Sequence, residues 1–183
     1  MKIFYFINII SLVVIFACVN PFAPELGEVE TGTSAVLTER LNPEEVLENF
    51  RFAYIYRDSL VYSEIIDTSF IFIYFDPTVE GTGRFDSWSR DVELRATAGL
   101  FRAVNNISLD WNSTVEEIYW SPAPDSSVSS VYFEGAKKAK ISKGFILKLG
   151  TEIQLTGTAS FTLEKEKNSA DWRIVRWIDE SIF

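Results

Sequence analysis

The sequence predicts an α+β domain, with three helices toward its N-terminal side packed on a strongly curved antiparallel sheet that takes up the rest of the chain. Three observations lead there. Beyond Asn42-Pro43, apolar residues recur at helical spacing. Between Thr151 and Glu164, Ile153, Leu155, Gly157, Ala159, Phe161 and Leu163 alternate with Glu152, Gln154, Thr156, Thr158, Ser160 and Thr162, so a long strand has one apolar and one polar face. From residue 107 onward only strand patterns appear.

The elements follow in order. Asn42-Pro43-Glu44-Glu45 has the residues of a helix start: Asn42 as N-cap, Pro43 at the first helical position, acids in the first turn and Glu45 at capping-box spacing. Val46, Leu47, Phe50, Ala53 and Tyr54 make its apolar stripe. Arg57-Asp58-Ser59 breaks the helix. Asp58 then caps a short second helix whose repeating positions are Leu60, Val61, Glu64 and Ile65. Residues 69–75 read as a strand that is apolar on both faces and so needs cover on both. Asp76-Pro77 ends it, and a Gly81-Thr82-Gly83 loop follows. Residues 88–104 read as a third helix with Val92, Ala96, Gly99, Leu100 and Ala103 inward, small residues that suggest close packing on a sheet. Residues 107–120 and 128–149 form long strands parted by Pro122, Pro124 and Asp125. Gly157 and Ala159 fit a bend in the strand after them. Residues 167–171 turn the chain, and residues 172–178 return beside that strand.

Ahead of the domain the chain divides in two: a signal peptide over residues 1–17, then a tether over residues 18–41, with the domain running from 42 to 183. Lys2 supplies a weakly positive start, and residues 3–17 are almost wholly apolar. That length suits the apolar region of a signal peptide and falls short of the roughly 20 residues a spanning helix needs. Ile15-Phe16-Ala17-Cys18 resembles the lipobox of bacterial lipoproteins, with Phe16 departing from the residue commonest at its place. The resemblance implies cleavage before Cys18, diacylation of its thiol and acylation of the new amino group, which together anchor the chain in a membrane. Val19 stands where an aspartate would imply retention at the inner membrane, so the resemblance points to the bacterial outer membrane with the domain facing the periplasm. A signal with an incidental cysteine is the competing reading. A single cysteine leaves no disulfide within the chain. Pro21, Pro24, Gly27 and Gly32 in the tether interrupt any apolar period.

Composition excludes several kinds of chemistry. A net charge of −9 repels phosphate backbones, so nucleic acid is not an expected partner. Histidine is absent and the one cysteine is assigned to lipid, which removes the usual zinc ligands and the Ser-His-Asp and Cys-His arrangements. No regularly spaced Asp/Asn/Gly loop suggests calcium. No metal and no cofactor is expected.

Helix, short helix, strand, helix and a run of long curved strands is the order of the NTF2-like, or cystatin-like, α+β cone. The ending, Gly157-Thr158-Ala159-Ser160-Phe161-Thr162-Leu163-Glu164-Lys165 through Trp172-Arg173-Ile174-Val175-Arg176-Trp177-Ile178-Asp179, resembles the closing hairpin of bacterial NTF2-like lipoproteins. Asn42-Pro43-Glu44-Glu45-Val46-Leu47 with Asn49-Phe50 resembles their first helix. The resemblance implies a cone whose mouth receives an apolar ligand, and a tendency to dimerise through the sheet. The polar face of residues 152–164 argues against burying that surface. A fold of this kind implies no chemistry by itself.

The chain holds 15 Phe, 7 Tyr and 5 Trp, enough to line a cavity or simply to fill a core. Tyr54, Asp58, Tyr74, Trp120 and Trp177 are the candidate pocket residues. Isomerase-type members of the fold use a carboxylate base opposite a tyrosine, and Asp58 or Asp67 with Tyr54 or Tyr62 supplies those residue types. Their spacing matches no signature, and Asp58 has an ordinary use as a helix cap. Lys137, Lys138, Lys140, Lys143 and Lys148 form a basic cluster that either protects an exposed sheet edge, the favoured reading, or receives an anionic ligand or partner. The leading functional reading is a non-catalytic module that binds a small apolar ligand or an envelope protein. The alternative is a small-molecule enzyme of isomerase type.

Overall fold

The computed structural model describes residues 37–78, 83–120, 135–167 and 169–180. The signal peptide, Cys18 and the tether up to residue 36 lie outside them, as do Gly81, Thr82, Pro122, Pro124, Asp125 and the expected strand residues 128–134.

The elements are α1 (Pro43–Tyr56), α2 (Ser59–Ile65), β1 (Ile66–Asp76), β2 (Arg84–Ser89), α3 (Arg90–Ala103), β3 (Ile107–Trp120), β4 (Lys138–Leu149), β5 (Ile153–Lys165) and β6 (Trp172–Asp179). The strands form one curved sheet in the order β2-β1-β6-β5-β4-β3. All neighbours are antiparallel except β1 and β6, which pair in parallel, so the sheet is mixed rather than wholly antiparallel. Two register shifts in β3, between Trp111 and Thr114 and between Thr114 and Glu116, bend it against β4. Gly157 pairs with Phe145 and Gly144 with Thr158, in a β4–β5 register that runs without a shift.

Local chemistry fixes α1. The Asn42 side chain accepts from the Glu45 N–H at 2.9 Å, and the Glu45 carboxylate accepts from the Leu41 N–H at 2.8 Å and from the Asn42 amide at 2.6 Å. Val46, Leu47, Phe50, Ala53 and Tyr54 are all buried, as the stripe requires. Arg57, left-handed at φ 56°, ends the helix, and Asp58 caps α2 by accepting from the N–H groups of Leu60 and Val61. In α2 the buried positions are Val61, Tyr62 and Ile65, whereas Leu60 faces solvent.

Residues 37–41, read from sequence as the end of the tether, are tied to the domain. The Thr38 N–H donates to Asn49 Oδ1 at 2.9 Å, and the Asn49 amide returns a bond to the Thr38 carbonyl at 3.0 Å. Arg40 pairs with Asp171 at 3.2 Å, and its carbonyl accepts from the Trp172 N–H at 2.9 Å.

Four expectations are corrected. On β1 only the face with Phe70 and Phe72 is buried. Ile71 and Phe75 stay exposed, because β1 forms a hairpin with β2 whose outer face, carrying Phe85, is also exposed. That second strand, residues 84–89, mixes polar and aromatic residues; its Trp88 and Ser89 belong to the strand and not to the start of the third helix, where the sequence pattern places them. In α3 the buried residues are Glu93, Thr97 and Phe101, one step round the helix from the expected face; Val92, Ala96 and Ala103 are exposed, and a Cβ at Gly99 would meet nothing within 4 Å. Finally, β4 is an interior strand between β3 and β5, so its lysines guard no edge. They pair instead: Lys138 with Glu164 at 2.8 Å, Lys140 with Glu116, and the nearly buried Lys143 with Glu44 at 2.6 Å, which pins the first turn of α1 to the sheet.

The N-cap is the local device the first helix depends on. Asn42→Ala should lower unfolding free energy by about 1 kcal/mol, read by urea denaturation, and Asn42→Asp by much less.

Candidate ligand cavity

The core lies between the concave face of the sheet and the helices. Phe50 of α1 stands at its centre, with ring centroids of Tyr54, Tyr62, Trp111, Phe161 and Trp177 between 4.8 and 5.8 Å away. Hydrogen bonds carry the same contact along the helix: the Trp111 indole donates to the Leu47 carbonyl at 3.2 Å, and Arg51 donates to the Leu109 carbonyl at 2.9 Å.

The rings do not fill the cone. A cavity of about 150 Å³ remains, walled by Phe50, Tyr54, Phe72, Trp111, Phe145 and Trp177, with Leu109, Leu147, Leu155 and Ala159 between them and Thr156 and Asp179 as further polar members. Leu155 is 39% exposed and marks its open side. Apolar residues predominate in this wall, and the volume matches one benzene-sized ring. The Trp177 Nε1 is buried without a hydrogen-bond partner among the described residues.

Behind the wall lies a buried polar network that the sequence reading did not find. Glu93 of α3 is 4% exposed. Its carboxylate accepts from the Tyr62 hydroxyl at 2.7 Å, the Trp88 indole at 2.7 Å and the Thr97 hydroxyl at 2.9 Å. Trp88 in turn stacks on Phe72, a wall residue, at 4.5 Å. Burial, then the Glu93 charge, pushes the Tyr54 phenol well above its ordinary value. Burial, then the neighbouring Tyr54 and Glu93, does the same to Tyr62. Both phenols therefore stay protonated across the physiological range. No cation pairs with Glu93 among the described residues, so neutral donors alone hold it.

Of the five candidates from sequence, the cavity brings together Tyr54 and Trp177. Asp58 is held at the start of α2 as its cap. Tyr74 packs on Phe72 and Trp88 at 6.0 and 4.9 Å, outside the cavity wall. Trp120 ends β3, opposite Lys138. Asp67, the other candidate base, is turned toward Ser69, whose N–H and hydroxyl donate to it at 2.8 and 2.7 Å. Burial raises its carboxyl, but those bonds and Arg173 outweigh burial and hold it below the ordinary range, opposite to what a base at neutral pH needs. Ten wall residues are not among the sequence candidates: Leu109, Phe145, Leu147 and Leu155, with Phe50, Phe72, Trp111, Thr156, Ala159 and Asp179. The sequence places Leu109, Phe145 and Leu147 in long strands and shows alternation at Leu155, but does not say which strands lie side by side.

Comparison with protein-family models and with curated proteins gives no match to this sequence. Solved structures do resemble it in shape. Bd1075 of Bdellovibrio bacteriovorus matches with a TM-score of 0.54 at 10% identity, over 76% of this chain and 39% of that one, so the match spans about two fifths of that protein's length. An NTF2-like protein of Pseudomonas putida KT2440 matches with a TM-score of 0.54 at 6% identity, over 76% of this chain and 84% of that one. A domain with a cystatin-like fold from Nostoc punctiforme PCC 73102 matches with a TM-score of 0.51 at 11% identity, over 75% and 74% of the two chains. The fold is NTF2-like.

Two outcomes test the network. Glu93→Ala strands the buried Tyr62 and Thr97 hydroxyls and the half-buried Trp88 indole, and should cost about 2–3 kcal/mol in urea denaturation, at about 1 kcal/mol or more for each buried donor left unpaired. Because the folded protein holds the Tyr54 and Tyr62 protons more tightly than the unfolded chain, stability is fully present below pH 10.0 and falls as pH rises beyond it. Tyr62→Phe should flatten that alkaline slope, measured as unfolding free energy against pH.

Proposed function

We propose that this chain is a lipid-anchored protein of the bacterial envelope whose domain binds a small apolar, single-ring molecule without transforming it. The observation that carries the reading is the aromatic-walled cavity of about 150 Å³, open at Leu155. Tyr54 is tied to its proton, Asp58 to a helix end and Asp67 to Ser69, while the sequence holds no histidine. These facts support retention of a ligand over proton transfer.

The anchor comes from sequence, from Cys18 behind an apolar run and a lipobox-like Ile15-Phe16-Ala17. Several acyl chains at about 0.8 kcal/mol per buried CH₂ would make attachment lasting. Val19 supports the outer membrane, with the domain facing the periplasm. Among the described residues no helix is long and apolar enough to cross a membrane.

A second reading, an isomerase-type enzyme, draws on Tyr54 and Asp179 sharing the cavity wall. Asp179→Asn separates the two. Turnover abolished with binding intact supports the enzyme; unchanged ligand retention with no turnover in either protein supports the binding module.

Toluene titrated into the protein should shift the methyl NMR signals of Leu109, Leu147 and Ala159 saturably, and Leu147→Trp, which fills the space, should weaken binding by roughly tenfold or more. Unsaturable, uniform shifts would count against the cavity as a ligand site. For the anchor, Cys18→Ala should lose both radiolabelled palmitate and membrane fractionation; labelling that persists in the variant would overturn the acylation.

A further inference from the structure

At the end of the sheet where the chain enters the domain, acids and bases are matched pair by pair. Glu164 pairs with Lys138 at 2.8 Å, Glu166 with Arg173 at 3.3 Å and Asp171 with Arg40 at 3.2 Å. Three lysines are left over. Lys137, Lys165 and Lys167 are exposed, have no ion-pair partner among the described residues, and line one concavity of about 330 Å³ with Gly135, Ala136, Glu166 and Ser169. The Lys165 N–H donates to the Lys137 carbonyl at 2.9 Å, so two like charges are set side by side across neighbouring backbones. That placement is unfavourable by itself. A chain of net charge −9 has many carboxylates, yet none neutralises these three among the described residues.

Position says what they face. Trp172 is the register partner of Lys165, and the Trp172 N–H donates to the Arg40 carbonyl. Arg40, close behind the tether, thus lies in the same row of backbone as the lysines. We propose that Lys137, Lys165 and Lys167 dock the tethered end of the domain on an anionic phospholipid bilayer. The inference rests on the acylation of Cys18 proposed above, which holds the domain close to such a surface and makes weak contacts effective. Each lysine near an anionic membrane contributes roughly fivefold in binding. An acidic protein is repelled by that surface in any orientation that does not present a basic patch.

The test is amine footprinting of the full-length acylated protein in vesicles of phosphatidylcholine alone and of phosphatidylcholine with phosphatidylglycerol. Lys148, exposed on β4 opposite Ser108 and at the far end of that strand, is the internal reference. Labelling of Lys137, Lys165 and Lys167 should fall by roughly fivefold or more in the anionic vesicles, with Lys148 unchanged. Replacing the three by Gln should return the neighbouring Lys138 to its labelling in phosphatidylcholine. Equal labelling in both vesicle types overturns the proposal, as does protection by inorganic phosphate alone with nothing added by vesicles. Failure of the wild-type chain to float with phosphatidylcholine would remove the acylation reading instead. Docking is then decided by flotation with the anionic vesicles: present and lost on triple substitution supports it, absent or indifferent to the substitution overturns it.

Discussion

The ring of Phe50 is the constraint from which the rest of this domain follows. A curved sheet presents a concave apolar face that one helix cannot cover with aliphatic side chains alone. Phe50, at 2% exposure, meets five other rings contributed by α1, α2, β3, β5 and β6. Burying a ring of this size stabilises by about 2–3 kcal/mol, and the edge-to-face contacts add to it. Rings are rigid, so they pack in few ways and leave gaps aliphatic chains would fill. The cavity beside Phe50 is such a gap, bounded by the rings that fix the helix. Stability and the cavity here have one origin.

The Glu93 network has a complementary part. A buried carboxylate is costly unless donors satisfy it, and here a tyrosine, a tryptophan and a threonine do so from α2, the end of β2 and α3. Those bonds hold α3 against α2 at a fixed distance. They also hold Trp88 flat on Phe72, so one wall of the cavity is backed by polar contacts instead of further apolar packing. The arrangement keeps Tyr54 and Tyr62 neutral.

What could be read from sequence divides along physical lines. The N-cap at Asn42 and the stripe through Phe50 are local patterns that appear in place, whereas the alternation of residues 153–163 holds only at Ala159, Phe161 and Leu163: Ile153 and Leu155 stay exposed and Ser160 of the polar face is buried. The misreadings arose where tertiary context reverses a local rule. The inward face of α3 was hidden because its key residue is Glu93, which hydropathy assigns to solvent. β2 was hidden because Arg84, Asp86 and Ser87 interrupt its aromatic residues. The lysines of β4 suggested an edge, but cross-strand and helix carboxylates let them sit in the middle of the sheet. Residue type alone singles out Tyr54, Tyr74, Trp120 and Trp177 alike, and the cavity takes only Tyr54 and Trp177 of them. Leu109, Leu147 and Leu155 required knowing that β3, β4 and β5 lie side by side.

If the Phe50 contact is what unites helix and sheet, α1 cannot open while the sheet stays folded. Native-state hydrogen exchange measures this directly. The amides of Phe50 through Tyr54 should exchange only by global unfolding, with the same opening free energy and denaturant dependence as those of Phe161 and Ile174. Exchange of the α1 amides through a lower-energy opening, with the strand amides still protected, would contradict the account.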